Sequence, residues 1–106
     1  MDMNKIIKGV TYQVKLKPYK ADKELVDLSG STVIWGIKKY PTSEYPAAGM
    51  PVSGTADENG ALVTVPVSVT ELIETGNYME EIEVTLNDGV TVKKFQREIS
   101  VVWEVN

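Results

Sequence analysis

The sequence predicts an all-β fold, an antiparallel sandwich, on three observations. Apolar residues recur at every second position over most of the chain, Gly-bearing turns separate these runs, and only one short stretch has helical character. Alternation with one polar face favours antiparallel sheets over parallel ones, whose strands are buried on both sides. The 106 residues fit one domain spanning 1–106.

Val10, Tyr12, Val14 and Leu16 alternate with Thr11, Gln13, Lys15 and Lys17, the pattern of a half-buried strand. Ile6 and Ile7 lie before Gly9, which predicts a first strand bent at the glycine and serving both sheets. Val33, Trp35 and Ile37 form a second inward row, and Trp35, in phase with its neighbours, is expected in the core. Residues 40–51 hold three prolines and a glycine and read as a long loop, with a short strand near Val52. Asp57-Glu58-Asn59-Gly60 is a turn. Val63, Val65 and Val67 alternate with Leu62, Thr64 and Pro66. The proline, having no N–H to donate, places this strand at an edge or at a bulge. One helical turn is predicted near residues 69–75, with Thr70 as cap, Leu72 and Ile73 facing inward and Gly76 as the stop.

Residues 78–86 and 90–105 flank Asn87-Asp88-Gly89, and Asp88-Gly89 suits a two-residue type I′ turn. That turn sets Ile82 opposite Phe95, Tyr78 opposite Ile99 and Glu80 opposite Arg97. Glu80 and Arg97 form a candidate cross-strand ion pair on a mostly apolar face, either at a solvated rim or in a subunit contact. The last strand is long enough to bend and serve both sheets.

Composition excludes several chemistries. There is no cysteine, so no disulfide, thiolate ligand or cysteine nucleophile. There is no histidine, the commonest general base and metal ligand. Zinc sites of the usual kinds and Ser-His or Cys-His catalysis are thereby excluded. Neither Gly-x-x-x-x-Gly-Lys-Ser/Thr nor Gly-x-Gly-x-x-Gly occurs, so no phosphate cradle and no cofactor is expected. Asp57, Glu58 and Asn59 match no calcium loop, and turns select these residues anyway. No metal site is expected. Glu80 faces away from Glu81 and Glu83, and nothing argues for the cleft that paired catalytic acids need. The chain is read as not an enzyme.

The net charge of −4 argues against binding a phosphate backbone, so no nucleic-acid partner is expected. No apolar run is long enough to cross a membrane, and the N-terminal residues lack a signal peptide's apolar stretch. The chain is expected to be cytoplasmic when made, or cut from a longer protein. Lysines concentrate in residues 1–23 and acids in residues 57–88, either as solvated faces or as complementary faces of neighbouring subunits. Tyr40, Tyr45, Pro46 and Met50 mark the long loop as a candidate contact loop. Its aromatics either recognise a partner or sugar, or fold back over a sheet edge. Trp103, in phase with Ile99 and Val101, belongs to the core or to a subunit contact.

Two segments carry a family resemblance. The first is Val26-Asp27-Leu28-Ser29-Gly30-Ser31-Thr32-Val33, leading into an apolar strand. The second is Thr70-Glu71-Leu72-Ile73-Glu74-Thr75-Gly76-Asn77-Tyr78, a turn leading into a strand with an acid-rich face. In this order, with a Gly turn and a valine-rich last strand, the chain resembles phage and prophage tail or baseplate modules. It is similar to the N-terminal immunoglobulin-like domain of phage baseplate upper proteins. The resemblance covers nearly the whole chain, from Tyr12 to Val102. It implies an immunoglobulin-like sandwich and a non-enzymatic virion structural role, with identical subunits or neighbouring virion proteins as partners. The expected destination is the virion. The alternative is a carbohydrate- or cell-surface-binding module that uses the loop aromatics.

Overall fold

A computed structural model describes residues 5–39 and 44–103. The fold is all-β with almost no helix. In chain order the elements are β1 (Lys5–Ile7), β2 (Tyr12–Leu16), β3 (Thr32–Lys38), β4 (Val52–Ser53), β5 (Thr55–Asp57), β6 (Gly60–Val65), α1 (Val67–Thr70), β7 (Gly76–Thr85) and β8 (Val92–Val102). They form a five-stranded sheet, β1-β8-β7-β3-β4, and a three-stranded sheet, β2-β6-β5. Both sheets contribute to one core. Trp35 and Ile37 of β3, Val63 and Val65 of β6, and Ile99 of β8 are almost wholly buried. Each such side chain contributes roughly 1.5–3 kcal/mol by leaving water.

The chain changes sheets at Gly9. β1 lies in the larger sheet and β2 in the smaller, joined by a turn in which the Val10 N–H donates to the Ile7 carbonyl at 3.0 Å. Gly9 sits at φ +82°, where a residue with a Cβ is strained, so the glycine makes the bend possible. Val10 lies in this bend and is exposed, outside the strand in which its alternation had placed it. β1 runs parallel to β8, Lys5 opposite Ser100 and Ile7 opposite Val102, so one pair in the otherwise antiparallel fold is parallel.

The β7–β8 hairpin has the register set by a turn centred on Asp88-Gly89: Tyr78 opposite Ile99, Glu80 opposite Arg97, Ile82 opposite Phe95. The turn itself differs from the expected type I′. Gly89 has a positive φ but Asp88 does not. The Leu86 N–H donates to Thr91 O and the Gly89 N–H to Leu86 O, both at 2.9 Å, closing a longer loop about the same centre. The Asp88 carboxylate holds it, accepting the N–H groups of Val90 and Thr91 and the Thr91 hydroxyl. Those bonds lower the Asp88 carboxyl below its ordinary value, led by the Thr91 hydroxyl.

Three expectations are corrected. β6 is the centre of its sheet, not an edge, and Pro66 ends it rather than bulging it. The helical turn occupies Val67–Thr70, earlier than 69–75. Pro66, extended at ψ 161°, leads into it without needing a donor of its own. Thr70 is therefore inside the turn and fully buried, Ile73 is buried, and Leu72 and Val67 point into solvent. β8 stays in one sheet throughout.

Candidate functional site

Glu80 is the chemically distinctive residue of the core. Alternation along β7 sends Tyr78, Glu80, Ile82 and Val84 inward, leaving Glu80 only 1% exposed. A buried carboxylate is costly unless it is paired and hydrogen-bonded, and this one is both. Its Oε2 accepts the Tyr12 hydroxyl at 2.6 Å and the Trp35 indole Nε1–H at 2.7 Å. Its Oε1 accepts Arg97 Nε–H across the hairpin. Arg97 Nη2 reaches back to the Tyr12 oxygen at 3.2 Å. The Tyr12 and Trp35 rings lie 5.9 Å apart, tilted by 48°. Four residues from β2, β3, β7 and β8 thus close one polar network between the sheets.

Glu80 is inside, not at a solvated rim, and the Arg97 side chain, 45% exposed, runs from it to solvent. Burial, then the hydrogen bond and charge of Glu80, push the Tyr12 phenol far above its ordinary value and keep it protonated. Desolvation pulls the Arg97 guanidinium down, but Glu80 and Tyr12 together outweigh it, and its value rises. Three donors are fixed on the carboxylate. The network ties the sheets together. Glu81, on the opposite face of β7, lies between Lys38 at 3.9 Å and Lys94 at 3.6 Å. Glu80 and Glu81 therefore cannot flank one bond of a substrate.

In the contact loop, Tyr40 lies outside the described residues. Tyr45 lies over Gly36 of β3: a Cβ at Gly36 would come within 2.3 Å of its ring. Lys38 Nζ stands 5.1 Å from the centre of the same ring. Pro46 is exposed, while Met50 is half-buried against the core. Tyr45 thus lies over β3 with 37% of its surface still exposed. Trp103 is 63% exposed, with Lys8 Nζ 5.2 Å from its ring, so it is not a core residue. In the Asp57 turn, the carboxylate accepts the Asn59 N–H at 2.7 Å, a bond local to the turn. Among the described residues no three acids gather as a metal site, and no helix is long and apolar enough to cross a membrane.

The edges of the sheets are the remaining feature. Among the described residues, β1 pairs with β8 only at residues 100–102, and neither the rest of that edge of β8 nor the facing edge of β2 has a strand beside it. Between them opens a cavity of about 90 Å³, lined by Val14, Leu16, Ile82, Phe95 and the Glu80–Arg97 pair among others. Phe95 also lines a larger, mostly apolar cavity of about 310 Å³ with Tyr19, Val26, Val84, Leu86 and Lys93.

The sequence did not reveal the network beyond the Glu80–Arg97 pairing. A buried indole N–H requires an acceptor, which was a signal that Trp35 needed a polar neighbour. Nothing in the alternation named Tyr12 as the third partner.

No family model and no curated protein matches the chain. Among solved structures it is similar to a family 123 glycoside hydrolase from Clostridium perfringens. The likeness is at 14% identity and a TM-score of 0.32, over 90% of this chain and 19% of that one. The chain spans about a fifth of that protein's length, and a likeness so loose carries no argument about activity.

Proposed function

We propose that the chain is a non-enzymatic assembly module with an immunoglobulin-like sandwich, of the kind its sequence resembles in phage tails and baseplates. Three features support the immunoglobulin-like part. The sheets β8-β7-β3-β4 and β2-β6-β5 have the strand orders of such domains with one additional edge strand. Trp35 is buried on the strand where these domains carry their core tryptophan. Tyr78, at the start of β7, donates its hydroxyl to the Glu74 carbonyl at 2.7 Å, as the tyrosine corner of these domains does.

The observation that carries the assembly role is the edge of β8, to which β1 is paired only at residues 100–102 among the described residues. A long strand edge of this kind is a docking template that proteins otherwise cover or shorten. Identical or neighbouring subunits would use it, and symmetry would repeat the contact. The alternative is a carbohydrate- or surface-binding module; Tyr45 lies over Gly36 but keeps part of its ring exposed.

Light scattering behind size exclusion, over a concentration series, tests self-contact. A discrete oligomer or growth toward a polymer is expected, and a monomer of about 12 kDa throughout removes self-assembly. Binding to a glycan array that is lost on Tyr45→Ala would replace the assembly role with surface recognition.

A further inference from the structure

We propose that the apolar cavity beside the β7–β8 hairpin binds a small amphipathic anion, an apolar body that ends in one carboxylate. The inference does not rest on the assembly reading, and either can fail without the other.

Two hairpins wall the cavity. Residues 18–26 fold back on themselves: the Lys20 N–H donates to Glu24 O at 2.8 Å, the Val26 N–H to Pro18 O at 2.9 Å, and Tyr19 pairs with Leu25. Pro18 and Val26 of this hairpin and Leu86 and Phe95 of the other enclose about 310 Å³. The floor is core: the lining residues Leu28 and Val84 are 2% and 1% exposed. Tyr19 and Lys93 are the exposed lining residues and mark the opening. Sites for small ligands measure about 300–1,000 Å³, with mostly apolar walls and a few polar groups that orient the ligand. This cavity fits that description at its lower end, so its ligand is a short chain or a ring.

The hairpin register sets the charge of the site. Val84 stands opposite Lys93, which puts Lys93 on the inward side of β8 with Phe95 and Ile99. Among the lining residues it alone is charged. Charges on the surrounding segments are matched elsewhere: Lys20 by Glu24, Arg97 by Glu80, and the Asp88 carboxylate by the donors of its own turn. Lys93 is in no ion pair among the described residues. An apolar interior with one unmatched cation at its mouth suits a ligand of the same polarity. The body leaves water against the core floor, and the carboxylate meets the ammonium at the opening. A cationic head on the same body would be repelled there.

The probes are decanoate, decanol and decylammonium, one tail with three heads, titrated into the full chain labelled with ¹³C in its valine and leucine methyl groups. We expect decanoate to bind at least about tenfold more tightly than decylammonium, and octanoate, with less chain to bury, roughly tenfold more weakly than decanoate. The methyls of Val26, Leu28, Val84 and Leu86 should shift, while those of Val10 and Leu72, exposed elsewhere, should not. Lys93→Glu, a change at an exposed position, should reverse the preference toward decylammonium. Val26→Trp fills the cavity and should abolish binding of every probe. Equal binding of the three heads, shifts of the same size at Val10 and Leu72, or cavity methyls that ignore every probe would each overturn the proposal. The last result would assign the cavity to a side chain of a partner or of this chain instead. A monomeric chain that binds decanoate leaves this inference standing while self-assembly falls. An oligomer whose cavity methyls ignore decanoate does the reverse.

Discussion

Tyr12→Phe isolates what the polar network contributes to holding the sheets together. The ring is kept, and with it the packing against Trp35, so only the hydroxyl is lost. That hydroxyl donates to a buried carboxylate at 2.6 Å, and hydrogen bonds to charged groups are worth about 1.5–3 kcal/mol. Its second bond, from the half-exposed Arg97, adds little, because water replaces it. The expected loss is about 2 kcal/mol, or roughly 10 °C in Tm for a domain of this size. Urea unfolding followed by tryptophan fluorescence reads it, since Trp35 is buried. The same variant carries a pH signature. The Tyr12 phenol is raised in the folded state above its unfolded value of about 10, so its contribution is complete below pH 10 and lost as pH climbs through 10 toward the folded value. The wild type should therefore lose stability above pH 10 more steeply than Tyr12→Phe. A cost below about 0.5 kcal/mol, or equal alkaline slopes, would show that the hydroxyl is not a tie between the sheets.

Three further outcomes are expected. Glu80→Leu leaves the Trp35 N–H and Tyr12 O–H without their acceptor. It should therefore cost more than the triple variant Tyr12→Phe, Glu80→Leu, Arg97→Leu, a non-additivity that a urea series reads directly. Tyr78→Phe removes the bond to Glu74 O and should cost about 0.5–1.5 kcal/mol, read by the same melts. Gly36→Ala drives a methyl into the Tyr45 ring and should lift the loop off β3, seen as faster proteolysis near residue 45 without loss of cooperative unfolding.

What the sequence made legible is what local chemistry controls. The hairpin register followed from one turn centre, and it held although Asp88 builds a longer loop, because both loops share that centre. The break at Gly9 followed from a glycine between two apolar runs. The helical turn was misplaced because Thr70 has a cap's chemistry, whereas Pro66, three residues after the buried Val63, ends the strand and starts the turn first. Illegible were the contacts between distant segments. Alternation says that Tyr12 and Glu80 both face inward, but not that residues 68 apart meet. Tyr45 on Gly36 is a similar case: a glycine in a strand signals close approach, without naming what approaches.

The placement of Glu80 has a physical logic on the immunoglobulin-like reading. Antibody domains pin their two sheets with a disulfide that packs on the core tryptophan, and its second cysteine follows the corner tyrosine by two residues. Here Tyr78 is the corner tyrosine and the residue two further on is Glu80. This chain has no cysteine, yet the position still crosses between the sheets and still touches the tryptophan: Glu80 bonds Tyr12 of β2 and the Trp35 indole at once. A hydrogen-bonded carboxylate is weaker than a covalent bridge and indifferent to redox conditions. It also requires a counter-charge, and Arg97 supplies that from β8. The residue that balances the core therefore stands on the strand whose edge β1 pairs only at residues 100–102 among the described residues, so the tie between the sheets and the proposed docking edge share one strand.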